Sequence, residues 1–392
     1  MGFTLSRHLL GTESHLHVID GAAGFQWTNQ EIPPCLNGLN GDLDTAIRLE
    51  RGTLPTPPTA YRNVVSCLGL DSKAVPWSKL LPTGRFREYV SSLLTTADGI
   101  LNGRTWNYVV DTFQPQQRLL DCLQRPAVDV TELGRLYKAT EGDTSTLDSF
   151  EADTSGFTDC VKYDRFKTTT GRLTVSSGPR ILTLPKSSRG IIKSRWPDGR
   201  IVFVDYVSLE PRIALAIAGG DPKRDIYAQI ERDLGLNLSR SVLKRAVLSI
   251  LYGAGTARIS DLTGLSKSEA HGLSYQLKQF FCVKRITDKV MDTVVDGYMR
   301  NYYGRPIFAG GKASSIIYNH YIQSTAADAA LLGFASLLDS VEQTFESCVP
   351  LFVIHDCIVL DCAPDFNIEK CISAFGCIPG FENEFYVEVK HG

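Results

Sequence analysis

The sequence predicts an α+β fold in which strands, a block of helices and further strands follow one another along the chain. Three observations carry this. Two short runs, Ile201-Val202-Phe203-Val204-Asp205-Tyr206 and Leu351-Phe352-Val353-Ile354-His355-Asp356, are rich in β-branched and aromatic residues and read as buried strands. Between them, apolar residues recur at helical spacing. Each strand run also carries an aspartate, and a carboxylate there is costly to desolvate unless it has a partner. Two such carboxylates, distant in sequence, can meet on neighbouring strands and hold divalent cations.

The elements follow in order. Residues 1–110 are rich in turn-formers (Ile32-Pro33-Pro34, Leu54-Pro55-Thr56-Pro57-Pro58, Pro82-Thr83-Gly84) and show no repeat and no assignable chemistry. Thr105 to Leu123 has helical spacing through Trp106, Val109, Val110, Phe113, Leu119, Leu120 and Leu123, with a break expected at Pro115. A second helix begins near Asp129 or Thr131, with Leu133, Leu136 and Tyr137 on one face. Asp143 to Thr158 is acidic and Ser/Thr-rich and reads as a loop or linker. Strands and turns run from Lys162 to Val207. Helices are then expected at 208–218, 225–233, 239–251, 266–281, 283–302 and 313–340, followed by a hairpin from Leu351 to Asp361 and a final helix and strand ending at Lys390.

Composition bounds the function. A chain of 392 residues can bury a substantial core, and 43% hydrophobic with 21% charged residues is ordinary for a globular protein. No apolar run reaches membrane-spanning length, and the N-terminus lacks an apolar segment followed by a cleavage site, so a cytoplasmic protein is expected. The Met-Gly start with Ser6 matches a myristoylation pattern superficially, but nothing else points to a membrane. Ten cysteines without CxxC pairs or Cys/His ligand spacing read as reduced thiols. Net charge is −2, yet Lys162 to Arg200 is strongly basic, with Asp164 and Asp198 its only acids. Such a stretch suits a phosphate backbone, although a charged run is more often a solvated face.

The chemistry gathers in three places. After Ser239, a natural N-cap, Arg240, Lys244, Leu248 and Tyr252 lie four apart along one helical face. Two cations near a helix N-terminus suit a triphosphate, or simply form a solvated basic face. In Asp205-Tyr206-Val207-Ser208-Leu209-Glu210-Pro211-Arg212, Asp205 leaves the strand, Ser208 is placed to cap the next helix and Pro211 sits in its first turn. Glu210 and Arg212 read equally well as a surface charge pair. The hairpin Val353 to Asp361 puts His355 and Asp356 at its tip, a weak signal alone, strengthened by apolar residues on both sides.

In order, these segments resemble the polymerase domain of family A DNA polymerases, the DNA polymerase I type. Thr170-Gly171-Arg172-Leu173 resembles the segment that opens that family's palm, and Asp205-Tyr206, Glu210 and Arg212 resemble its motif A, followed by Gly220-Asp221. Arg240, Lys244 and Tyr252-Gly253 resemble motif B, Tyr303-Gly304-Arg305 the FGR turn, Asn319, Gln323 and Ser324 to Asp328 the NxxxQGTAAD segment, His355-Asp356 motif C, and Val387-Glu388-Val389-Lys390 the family's end. The resemblance covers Thr168 to Gly392, with a weaker echo from Leu119 to Lys138 at the start of the thumb. It implies a right-hand polymerase fold: an antiparallel-sheet palm (166–224 and 309–392), helical fingers (225–308), an abbreviated thumb (111–165) and an N-terminal region of unknown role (1–110).

The resemblance also implies roles. Asp205 and Asp356, with the Tyr206 carbonyl, would bind two Mg²⁺ ions, for which Mn²⁺ can substitute. Arg240 and Lys244 would grip the incoming nucleotide, Lys244 as general acid to pyrophosphate. Glu210 would disfavour ribonucleotides, and Tyr227 would reach a phosphate. Tyr252, with Gly253, would sit by the templating base. Arg172, Asn319, Gln323, His355 and Arg305 would touch the duplex and primer end. The implied partners are primer-template DNA, dNTPs and a processivity or replisome factor, and the implied protein is a monomer serving replication or repair. Its small size suggests a virus, phage or mobile element, and hence the host cytoplasm.

Four departures stand out. Leu248 replaces an aromatic that stacks on the incoming base, Cys357 replaces the Glu of motif C, Tyr227 replaces a His, and Ser241 replaces an Arg. The short thumb implies low processivity, and the absence of an exonuclease signature implies no proofreading. The competing readings are a single-subunit RNA polymerase or primase-like enzyme, against which Glu210 argues, and a non-catalytic nucleic-acid-binding remnant, against which the retained Asp205, Asp356, Arg240 and Lys244 argue.

Overall fold

The computed structural model describes residues 3–5, 15–18, 25–28, 45, 48–49, 59–70, 80–89, 91–92, 104–341 and 347–391. The expected turns at Ile32–Pro34 and Leu54–Pro58 and the Met1-Gly2/Ser6 pattern lie outside them. The chain divides into a smaller unit, Met1–Gln114 with Gly304–Pro306, and a larger one, Pro115–Tyr303 with Ile307–Gly392.

In the smaller unit, β1 (Phe3–Leu5), β2 (His15–Val18) and β3 (Phe25–Thr28) form an antiparallel sheet in that order, with Phe3 opposite Val18 and His15 opposite Thr28. Helix α1 covers Thr59–Cys67, and the expected turn at Pro82–Gly84 instead opens a helix over 83–89. Helix α2 (Arg104–Tyr108) passes into a π-turn at Val109–Phe113, where Tyr108 and Phe113 are buried edge-to-face at 6.4 Å. The expected break at Pro115 is therefore this π-turn. Helix α3 (Gln114–Asp121) follows it without a break, with Pro115 as its second residue.

In the larger unit, β4 (Ala127–Val128) leads into α4 (Val130–Ala139), which Asp129 caps by accepting from the Thr131 and Glu132 N–H groups at 2.9 and 3.0 Å. The acidic segment 143–158 is no linker. It contains α5 (Ser145–Asp148), buries Phe150 completely and ties Asp153 to Arg125. Next come β5 (Lys162–Asp164), β6 (Thr174–Ser177), a 3₁₀ turn at Lys186–Ile191, β7 (Ile192–Lys193) and β8 (Arg200–Tyr206).

The helical block comprises α6 (Leu209–Ile217), α7 (Ile226–Leu234), α8 (Arg240–Leu251), α9 (Thr256–Thr263), α10 (Lys267–Phe280) and α11 (Val283–Met291). Two expectations change here. Helix α9 was not foreseen, and the helix expected over 283–302 stops at Met291, because Gly297 at φ +80° turns the chain into β9 (Tyr298–Arg300), followed by β10 (Pro306–Phe308). Helix α12 (Ser314–Val341), hairpin strands β11 (Cys348–Ile354) and β12 (Cys357–Cys362), α13 (Glu369–Gly376) and β13 (Val387–His391) complete the chain.

The central sheet has the order β11-β12-β8-β13, with every pair antiparallel. Along β8, Val202, Val204 and Tyr206 are buried while Phe203 and Asp205 are partly open, as period-2 alternation requires. The buried face packs on α12 through Ala326, Ala329, Ala330 and Phe334, and Tyr206 stacks on Phe334 at 5.2 Å. This approach needs a glycine: a Cβ at Gly333 would lie 1.9 Å from the Tyr206 hydroxyl. Residues of α3, α4 and α5 join the same core through Leu119, Leu133 and Leu147. A second core lies among α6 to α11 and takes in Ile317, Tyr318 and Ile322 from the start of α12. Helix α12 thus belongs to both cores. No helix among the described residues is long and apolar enough to cross a membrane.

Candidate active site

The strand register builds the site. Cys357 on β12 and Glu388 on β13 both pair with Asp205 on β8, from opposite sides. Ile354 pairs with Cys357, which leaves His355-Asp356 as a two-residue turn, and His355 takes the left-handed φ of +56°. The Asp356 carbonyl accepts the Tyr206 N–H at 2.9 Å, fixing the tip against the end of β8. Asp205 and Asp356 are thereby neighbours. Burial, and then the charge of Asp205, push the Asp356 carboxyl up to about 6. Desolvation, then the charges of Arg172 and Arg189, hold His355 below its ordinary value.

These carboxylates face a cavity of about 540 Å³. Its lining includes Arg172, Tyr206, Glu210, Tyr227, Arg240, Lys244, Leu248, Tyr252, Gln323 and His355 as well as Asp205 and Asp356. The structure therefore gathers every candidate except Asn319, Gly253 and Arg305. Ser239 caps α8 by accepting from Val242 N–H at 3.4 Å, so Arg240 and Lys244 stand on the helix's first two turns. Lys244 has no ion-pair partner among the described residues, whereas Arg240 pairs with Asp225 and lies 5.3 Å over the Tyr227 ring.

Several side chains are placed differently from expectation. Glu210 pairs with Arg172 rather than Arg212, and Tyr252 lines the same cavity. Arg212 is not at the surface. It is fully buried, donates to the carbonyls of Val207 (2.6 Å), Pro222 (3.4 Å) and Arg224, and lies 4.8 Å over the Tyr386 ring. Ser208 occupies the N-cap position of α6 at φ +52° but makes no cap bond. Asn319 donates to the Leu251 carbonyl at 3.2 Å, tying α12 to the end of α8. Gly253 ends α8 at φ +74°, where a Cβ would meet the Ser315 carbonyl at 2.9 Å. The Gln323 side-chain oxygen accepts from Thr170 at 2.8 Å. Arg305 belongs to the smaller unit, where it is buried with its guanidinium 5.2 Å over Tyr108.

Sequence reasoning missed two residues here. Lys390 lies 3.0 Å from Asp205 and 3.1 Å from Glu388. The alternation Val387-Glu388-Val389-Lys390 placed both polar residues on one face, but the pairing of β13 with β8 is long-range and left no local trace. A second cavity of about 560 Å³ adjoins the carboxylates, lined in part by Lys186, Arg189, Phe203, Lys390 and His391.

The donor set suits a hard cation. Asp205 and Asp356 offer two adjacent carboxylates, the hard oxygen ligands that Mg²⁺ takes, though too few for an all-protein cage. No group of three or more His, Cys, Asp or Glu among the described residues is arranged to hold a metal by itself.

No protein-family model and no curated protein matches the chain. A solved structure does. The polymerase domain of Pol1 from M. smegmatis, in complex with DNA primer-template and dNTP, superposes with a TM-score of 0.65 at 14% identity, covering 90% of this chain and 81% of that one. The chain has a DNA-polymerase fold.

Proposed function

We propose that the protein is a template-directed DNA polymerase that adds deoxynucleotides to a primer 3′ end. The observation that carries this reading is the single cavity in which Asp205 and Asp356 face Arg240 and Lys244. The polymerase fold and the complex of the M. smegmatis domain with primer-template and dNTP support it. In right-hand terms, the four-stranded sheet with α12 is the palm and α7 to α11 are the fingers.

Each residue's work follows from its place. Asp205 and Asp356 would hold two Mg²⁺ ions, which would supply Lewis-acid activation of the primer hydroxyl and charge neutralisation on the triphosphate. Lys244 is placed to meet the triphosphate and to protonate the leaving pyrophosphate. Arg240 joins it once the phosphates compete with Asp225. Glu210, held by Arg172, closes the floor of the cavity beside the sugar and disfavours a 2′-hydroxyl. Leu248 gives the base an aliphatic rather than an aromatic surface. The small complement of helices from α3 to α5, which share the sheet's core, supports a weak grip on duplex and low processivity.

The test is primer extension with Mg²⁺ on DNA and RNA templates, offering dNTPs or NTPs. Extension with dNTPs, lost in Asp356→Ala, is expected. Preferential use of NTPs would favour an RNA-polymerase or primase-like enzyme, and native-level extension by Asp356→Ala would defeat the carboxylate-centred mechanism.

A further inference from the structure

We infer that Lys390 is an internal counter-cation of the carboxylate centre, holding Asp205 in the metal-free protein and yielding it when a divalent cation binds. The inference rests on the proposed function, since it concerns the same centre. Its basis is the register of β13 on β8. Glu388 lies opposite Asp205 and Lys390 opposite Phe203, so all four side chains share the open face of the sheet. The Lys390 ammonium is 3.0 Å from Asp205 Oδ2 and 3.1 Å from Glu388 Oε2, and it lines both cavities that meet at the carboxylates.

This arrangement has the features of a displaceable ion. A compact ammonium on a flexible stem occupies one oxygen of a carboxylate expected to bind a metal. Glu388 offers it a second seat, so a metal arriving at Asp205 does not leave Lys390 unpaired. Cys357, on the opposite side of Asp205, provides neither a competing charge nor an additional carboxylate. Lys390 is thus a positioning residue: it keeps Asp205 aimed along the open face and sets the cation concentration at which the centre fills. The bland alternative is an ion pair that merely pins an edge strand.

The test is direct Mn²⁺ binding to the full chain without DNA or nucleotide, read by the electron paramagnetic resonance signal of free Mn²⁺. Lys390→Met removes the charge and keeps the stem, and is expected to bind Mn²⁺ about fivefold more tightly, the upper size for a half-exposed ion pair. Lys390→Arg keeps the charge and is expected to stay near wild type. Asp205→Asn is expected to lose the Mn²⁺ site. Unchanged or weaker binding by Lys390→Met, with Asp205→Asn still abolishing it, overturns the role of Lys390 alone. Wild-type binding by Asp205→Asn overturns the carboxylate centre and the role of Lys390 with it. Equal weakening in the Met and Arg variants identifies the structural pin and overturns the inference.

Discussion

Asp356 concentrates the site's electrostatics in one carboxyl. Its value of about 6 stands above the 3.8 of a free side chain, because burial and then Asp205 penalise its ionised form. The sign follows from linkage: in the metal-free protein its contribution to stability is full below pH 4 and is lost as pH rises through 6. A carboxyl-carbon NMR titration should find this midpoint, and Asp205→Asn should lower it by removing the second cause. Leu248 supports a different expectation. It lines the cavity where the resemblance places an aromatic, and base–aromatic stacking is worth about 1–3 kcal/mol. Leu248→Phe should lower the KM for dNTP roughly fivefold or more. Steady-state kinetics with unchanged KM and kcat would defeat that idea. Residue identity was the most legible level of this chain: spacing singled out Asp205, Glu210, Arg240, Lys244, Leu248, Tyr252, His355 and Asp356, and the family resemblance added Arg172, Tyr227 and Gln323. What spacing could not give was pairing. Glu210 had two arginines within reach of argument, and the fold chose the distant Arg172 because Arg212 is drawn inward by three backbone carbonyls.

At the scale of elements, ends matter more than middles. Helix α8 stops in a Schellman-type cap, with Ala254 N–H donating to the Ser249 carbonyl at 2.8 Å and Gly253 N–H to that of Ile250 at 3.0 Å. Gly253→Ala adds a Cβ in a left-handed backbone and against the Ser315 carbonyl, so it should cost about 1–3 kcal/mol in urea unfolding. It should also disturb nucleotide binding, because the same helix carries Arg240 and Lys244. The helix starts and stops that the sequence disclosed were those with local chemistry: Asp129, Ser239 and Gly253. Helix α9 escaped notice because Gly255 is its N-cap and offers no side-chain signal. The basic stretch from Lys162 to Arg200 misled in another way. Its charges scatter in the fold: Arg172 goes to Glu210, Arg195 to the buried Asp361, Arg165 to Gln116, and Lys186 and Arg189 to the second cavity. It is therefore not one solvated face.

Across the larger unit, the two cores share α12, a helix of 28 residues that extends about 42 Å. Its first turns pack with the helical block that includes α8, which carries Arg240 and Lys244, and its middle packs under the strand that bears Asp205. The larger unit should therefore unfold as one cooperative transition in calorimetry, and Gly333→Ala, which drives a Cβ into the Tyr206 hydroxyl, should lower the midpoint for both cores together. If the protein is the polymerase proposed, extension in the presence of a heparin trap should end after few additions, and primer-template affinity should fall steeply with salt. The α+β layout was legible because β-branched runs and helical periods are local signals. The smaller unit was not, because its turn-rich sequence carries neither period over a useful length.

The alternation along β8 has one more consequence. Sliding this strand by a single residue would carry Asp205 to the face that packs on α12 and bring Val204 into the open. A misaligned sheet would thus strand an ionised group in hydrocarbon, far from Lys390, at a penalty that no apolar strand would face. The carboxylate at the candidate site thus also selects the alignment of the strand that bears it. A molecule in which Asp205 is replaced by a valine or leucine should lose more than its chemistry: it should lose part of the reason its central sheet has one register rather than two.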